Sequence, residues 1–170
     1  MGMIKSVRGF TPQLGENNFI ADYAVIAGDV ITGNDCSFWF HAVVRGDVNA
    51  IRIGNKVNVQ DGAIIHCTYE KADTVIGNNV SIGHRAIVHG CHIDDNVLIG
   101  MGAIVMDHVH VPSLTVIGAG ALVPEGQKLE SGWVYVGAPA RKLKRLDDEQ
   151  LNFLITRTAD NYVKYAGWFS

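Results

Sequence analysis

The chain has 170 residues, 48% of them hydrophobic and only 18% charged, which excludes a disordered polymer and fits one domain with a real core. A formal net charge of -3 argues against nucleic acid held by a basic field, and no run of about 18 apolar residues offers a membrane span. Residues 1–15 lack the apolar core of a signal peptide, and three cysteines (Cys36, Cys67, Cys91) without a CxxC pair point to a reduced, cytoplasmic protein with the thiols as small core fillers.

The chain carries 20 Val and 16 Ile against 9 Leu, a ratio that favours strands. Aliphatic or aromatic residues then recur every six positions: Ile20, Ile26, Phe38 and Val44, with Thr32 the weak member; Ile53, Val59 and Ile65; Ile76, Ile82 and Val88; and an unbroken run from Ile93 to Val123. A period of six is neither helical nor that of a hairpin; it marks a hexapeptide solenoid. Each unit gives one short strand and one turn, and three units close a triangular coil of about 18 residues, with coils stacked at ~4.8 Å. The aliphatic residue points inward. The glycine that often follows it (Gly33, Gly54, Gly77, Gly83, Gly100, Gly118) reads as a tight corner that a side chain would strain. The fold expected is an all-β solenoid, a parallel β-helix over residues 1–135. The period breaks at Val44–Ile53, Ile65–Ile76 and Val88–Ile93, where corners are lengthened or shortened. It stops after Val123. The basic run Arg141–Arg145 reads as a solvated connector. Asp147 with Gln150 reads as a capping box opening one helix to about residue 166. Leu151, Leu154, Ile155, Thr158 and Tyr162 share a face of that helix, which packs outside the prism, so residues 136–170 complete a single domain.

Units three apart share a face. Arg45, His66 and His89 each follow an inward aliphatic by one position and form a column. Asp61 and His84 each follow one by two positions and form a second column on the neighbouring face. His66 and His89 are one coil apart, about 4.8 Å, within reach of one metal at the ~2.0–2.1 Å of Zn–N bonds. Side chains on adjacent faces diverge, so the third ligand, His84, is better supplied by another subunit of a closed three-subunit ring. That docking sets Arg45 opposite the partner's Asp61 as an interfacial ion pair. His41, His92, His108 and His110 lack this register. Three neutral histidines leave a position for water, and zinc lowers its pKa from ~15.7 to about 7.

The stretches Val44-Arg45-Gly46-Asp47, Asn58-Val59-Gln60-Asp61-Gly62, Ile65-His66, Gly83-His84 and His89-Gly90-Cys91 resemble γ-class carbonic anhydrases, in particular the compact bacterial, ferripyochelin-binding-protein-like branch. The resemblance covers about residues 10–165. It implies left-handed coils, a homotrimer, metal shared between subunits, and reversible hydration of CO2 to bicarbonate by a metal-bound hydroxide. Carried over by position, His66, His84 and His89 are ligands for Zn(2+), with Fe(2+) or Co(2+) as alternatives. Arg45 and Asp61 are the trimer ion pair, and Asp47 supports the Arg45 loop. Gln60 and Asn58 line the site and bind water or bicarbonate, and Asn161 and Tyr162 reach toward it from the helix. One departure stands out: Val48 occupies a position where the family has a glutamate, and the loop after His66 is short, with Glu70 and Asp73 its only acids. Glu70, Tyr69 and Tyr162 are then the candidates for moving the proton. The alternatives are an acyl-CoA thioesterase or acyltransferase, which would use a lone histidine base in the latter case, and a non-catalytic metal-binding trimer.

Overall fold

The computed structural model describes residues 2–169; Met1 and Ser170, the outermost residues of the two expected segments, lie outside them. The chain winds as a left-handed parallel β-solenoid of about seven coils followed by a C-terminal helix. Three inward columns hold it together. On the first face Ile26, Val44, Ile65, Val88, Val105 and Val123 pair in direct register. On the second, Thr32, Ile53, Ile76, Ile93 and Val111 do so, and on the third Ile20, Phe38, Val59, Ile82, Ile99, Ile117 and Tyr135. All of these but Ile20 are buried, and each buried Val, Ile or Phe among them contributes about 1.5–3 kcal/mol of apolar burial. Cys36, Cys67 and Cys91 are buried free thiols in the same core, as expected.

The three breaks in the period are corners. Two strands, Val25–Thr32 and Val43–Ile53, run past a corner from the first face to the second, and residues 47–50 form an insertion between register pairs Gly28↔Gly46 and Val30↔Ile51. Residues 68–72 form a second insertion, closed by an antiparallel bridge between Thr68 and Ala72. The third corner is shortened through Gly90, whose φ is +54°.

The glycines after the inward aliphatics have a different cause from the one expected. The left-handed residues of successive coils are Lys56, Asn79 and Asn96, not these glycines. Gly54 is required by stacking: a Cβ there would sit 2.8 Å from the backbone of Gly77 in the next coil. Beside it, the Asn34, Asn55 and Asn78 amides climb a ladder, each backbone N–H donating to the side-chain oxygen one coil on, at 2.8, 2.8 and 2.6 Å, ending on Asp95.

The solenoid also continues past Val123. Trp133–Val136 pairs in parallel with Val116–Ile117, so Tyr135 fills the inward position, and the basic run beyond it is solvated as expected but is itself a strand. After a cis Ala138–Pro139 peptide, Arg141–Arg145 returns as an exposed strand antiparallel to Trp133–Val136. Lys142 and Arg145 lie over the Trp133 ring, which pulls the run back onto the sheet. Asp147 caps the helix as expected, accepting from the Gln150 N–H at 2.8 Å. The helix then differs by one detail: Asp148–Leu151 and Arg157–Ala166 are α-helical, and Asn152–Thr156 between them is a π turn. Ile155 packs on Val116 and Val134 of the third face, with Leu98, Leu151 and Leu154 around it. Tyr162 meets Trp39 edge-on with ring centroids 5.4 Å apart. Among the described residues no helix is long and apolar enough to cross a membrane.

Candidate metal centre

Strands Ile64–His66 and Ile87–His89 are neighbours on the first face, and His66 pairs directly with His89. Their rings lie half-buried with His66 Nδ1 3.1 Å from His89 Nε2. Each ring turns its other nitrogen to a carboxylate. His66 Nε2 is 3.0 Å from Asp47 Oδ1, and His89 Nδ1 is 2.5 Å from Asp107 Oδ1.

Those contacts decide where the protons sit. Burial raises the pKa of Asp47, but the hydrogen bonds from His66 and Arg45 outweigh it and hold this carboxyl below its ordinary value. Burial likewise opposes ionisation of Asp107, and the bonds from Thr68 and His89 prevail. An ionised carboxylate only accepts, so His66 donates from Nε2 and His89 from Nδ1. Burial keeps His66 below the ordinary imidazole value despite its bond to Asp47, so its neutral form is favoured. His66 Nδ1 and His89 Nε2 are the nitrogens left facing each other, at 3.1 Å. Two ligands of a tetrahedral zinc with bonds of ~2.0–2.1 Å stand about 3.3 Å apart. The donor set therefore fits two corners of such a centre, each backed by a carboxylate in the usual manner of metal-binding histidines.

The second column stands on the neighbouring face. His84, in the turn after Ser81–Ile82, directs Nδ1 to Asp61 Oδ2 at 2.9 Å and Nε2 toward the Tyr162 hydroxyl at 3.5 Å. Among the described residues of one chain, no three His, Cys, Asp or Glu side chains converge on a metal position. Arg45 Nη1 holds Asp47 Oδ2 at 2.5 Å, so within one chain Arg45 meets Asp47 and Asp61 meets His84. Gln60 and Asn58 are buried under the helix in one chain of bonds. Asn58 donates to Ser81 Oγ at 2.8 Å, Gln60 Nε2 donates to Asn58 Oδ1 at 2.9 Å, and the His84 backbone N–H donates to Gln60 Oε1 at 3.2 Å. Gln60, His84 and Tyr162 edge a mostly apolar groove of about 390 Å³ between the helix and the third face. Asn161 is next to Tyr162 on that helix.

The acids of the short loop are elsewhere. Glu70 is exposed, Asp73 is paired with His92 Nε2 at 2.9 Å, and the Tyr69 ring lies under Arg8. Val48 packs against the core from the 47–50 insertion. On the first face the register of Arg45, His66 and His89 uses only positions one after each inward aliphatic, and so passes over Asp107, two after Val105. It also passes over Thr74, buried at the start of strand Thr74–Ile76, whose hydroxyl donates to the His66 carbonyl at 2.7 Å and accepts from the Gly90 N–H at 3.1 Å.

Against known proteins, residues 73–105 match the family described as bacterial transferase hexapeptide (six repeats). The carbonic anhydrase of Geobacillus kaustophilus is 40% identical over 149 residues, 88% of this chain and 81% of that protein. Gamma carbonic anhydrase 1, mitochondrial, of Arabidopsis thaliana is 40% identical over 91% of this chain, which spans only 58% of that protein's length. The crystal structure of a hexapeptide transferase family protein from Anaplasma phagocytophilum superposes with a TM-score of 0.93 at 35% identity, covering 99% of this chain and 98% of that one.

Proposed function

The chain belongs to the γ-class carbonic-anhydrase-like hexapeptide-repeat family, and from that footing we propose that it interconverts CO2 and bicarbonate at a divalent metal shared between two subunits of a homotrimer. The observation that carries this reading is the pair of imidazoles whose nitrogens, His66 Nδ1 and His89 Nε2, face each other at 3.1 Å while each ring's other nitrogen meets a carboxylate. His66 and His89 of one subunit, with His84 of the partner subunit, would hold the ion; zinc suits the nitrogen set, and Fe(2+) or Co(2+) would as well. When bound, the metal supplies the Lewis acidity that brings the pKa of a water to about 7. Asp47, Asp107 and Asp61 each hold one nitrogen of the three rings, leaving the other nitrogen of each to face away from the carboxylate. Gln60, its carbonyl and one amide proton already engaged, keeps a second amide proton to orient a bicarbonate oxygen. Burial first, with the charge of Asp61, pushes the Tyr162 hydroxyl up to about 12, so at neutral pH it serves as a donor and not as a base. The second oxygen of Asp61 is available to Arg45 of the partner subunit as the interfacial ion pair.

The apolar groove beside His84 supports a second reading, acyl-CoA thioester hydrolysis or acyl transfer. Metal content and CO2 hydration measured on one sample separate them. The expected result is about one divalent ion per chain and hydration that both disappear in His89→Ala. Metal-free wild-type protein after metal-supplemented expression would overturn the proposal. A loaded but inactive protein would leave a non-catalytic metal-binding trimer, and thioester hydrolysis without hydration would favour the second reading.

A further inference from the structure

The carboxylate behind His89 is held with more care than its position in the sequence announces. Val105 pairs with Val88, so Asp107, two residues on, stacks one coil along from Gly90. Gly90 has no side chain, and the Asp107 carboxylate occupies the space this leaves: a Cβ on Gly90 would come within 2.5 Å of Asp107 Oδ1. That same oxygen is the one 2.5 Å from His89 Nδ1, and the other, Oδ2, accepts from the Thr68 hydroxyl. Thr68 opens the insertion after His66, and Thr74, at the start of the strand that follows it, ties the His66 carbonyl to the Gly90 N–H. The insertion thus grips both ligand strands and the carboxylate.

We propose that Asp107, seated in the notch left by Gly90 and braced by Thr68, is the positioning residue of the metal centre, fixing His89 as the Nδ1–H form with Nε2 aimed at His66. This rests on the metal-centre reading above and gives the insertion a task other than proton transfer. A neutral imidazole free of such a partner exchanges its proton between the two nitrogens and turns about its side-chain torsions. A carboxylate bonded to Nδ1–H removes both freedoms before the metal arrives.

The test compares wild type with Asp107→Ala, Asp107→Asn and Gly90→Ala. Two quantities are read: Zn(2+) affinity, by competition with a chromophoric chelator, and the His89 tautomer in metal-free protein, from 15N spectra of histidine-labelled samples assigned against His89→Gln. Asp107→Ala should weaken Zn(2+) binding about 10–100-fold, with His89 spread over both tautomers. Asp107→Asn retains an oxygen acceptor and should lose less affinity, with His89 still chiefly Nδ1–H. Gly90→Ala keeps the carboxylate but fills its seat, and should behave like Asp107→Ala. Wild-type affinity in Asp107→Ala, or weakened affinity with His89 unchanged as Nδ1–H, would overturn the proposal. If Asp107→Ala fails to fold, Asp107→Asn and Gly90→Ala carry the same readouts. Should wild-type protein bind no zinc, the functional reading fails, while the tautomer measurement still decides the role of Asp107.

Discussion

Val48 packs its side chain on the core at the position where the family resemblance leads one to expect an acid, and the loop acids point elsewhere. Under the proposed CO2 hydration, with no ionisable group at that point, proton export would fall to the buffer. Hydration is expected to be slow in dilute buffer and to rise with imidazole concentration. Val48→Glu should raise kcat more than kcat/KM, as stopped-flow assays across a buffer series would show; fast, buffer-independent hydration by the wild type would count against this. At this scale the sequence was legible wherever register alone decides. A period of six forces His66 over His89, and their pairing follows from counting. Asp107 was not legible in that way. Its role depends on an empty space one coil away, and emptiness at Gly90 gains meaning only once two coils are stacked.

Among the elements, those with a local signature were readable and those made by neighbours were not. The helix start follows from Asp147 and Gln150, whose bond needs nothing beyond the helix itself. Asp147→Ala should therefore cost about 0.5–2 kcal/mol, confined to the helix. Hydrogen exchange should show faster opening across residues 148–166, with solenoid amides unaffected; uniform loss of protection would show the helix and the coils to be one cooperative unit. The π turn leaves no comparable mark, because the apolar face of Leu151, Leu154 and Ile155 tolerates one widened turn. Arg141–Arg145 has no apolar alternation that predicts its pairing, and becomes a strand because Trp133 presents a ring to Lys142 and Arg145. The stacking glycines were found for the wrong reason: Gly54 answers to the backbone above it, not to its own φ.

On the scale of the whole molecule, the two histidine columns stand on different faces of one prism, so a shared centre has a direct test. One variant carries His66→Ala and His89→Ala, the other His84→Ala. Neither homotrimer has a complete site. Refolded together, mixed trimers should gain one junction that pairs the intact His66/His89 face with an intact His84, and with it about one metal per trimer and partial activity. Verified mixed trimers that stay metal-free would refute the shared site. The far end of the prism has a consequence of another kind. A stack of parallel coils has no inherent length, since each coil is a template for the next. The first strand, Met3–Lys5, is exposed along its whole length and would serve as the next coil for another molecule's last one, a head-to-tail contact that never closes. The antiparallel, fully exposed Arg141–Arg145 strand covers that end on the third face, opposite in direction to the coil strand it pairs with and with four positive charges. Replacing Arg141, Lys142, Lys144 and Arg145 with serine should let light scattering detect filaments that lengthen with protein concentration, while the wild type keeps one size. The basic strand is, on this account, what makes a repeating chain a particle of fixed length instead of a fibre.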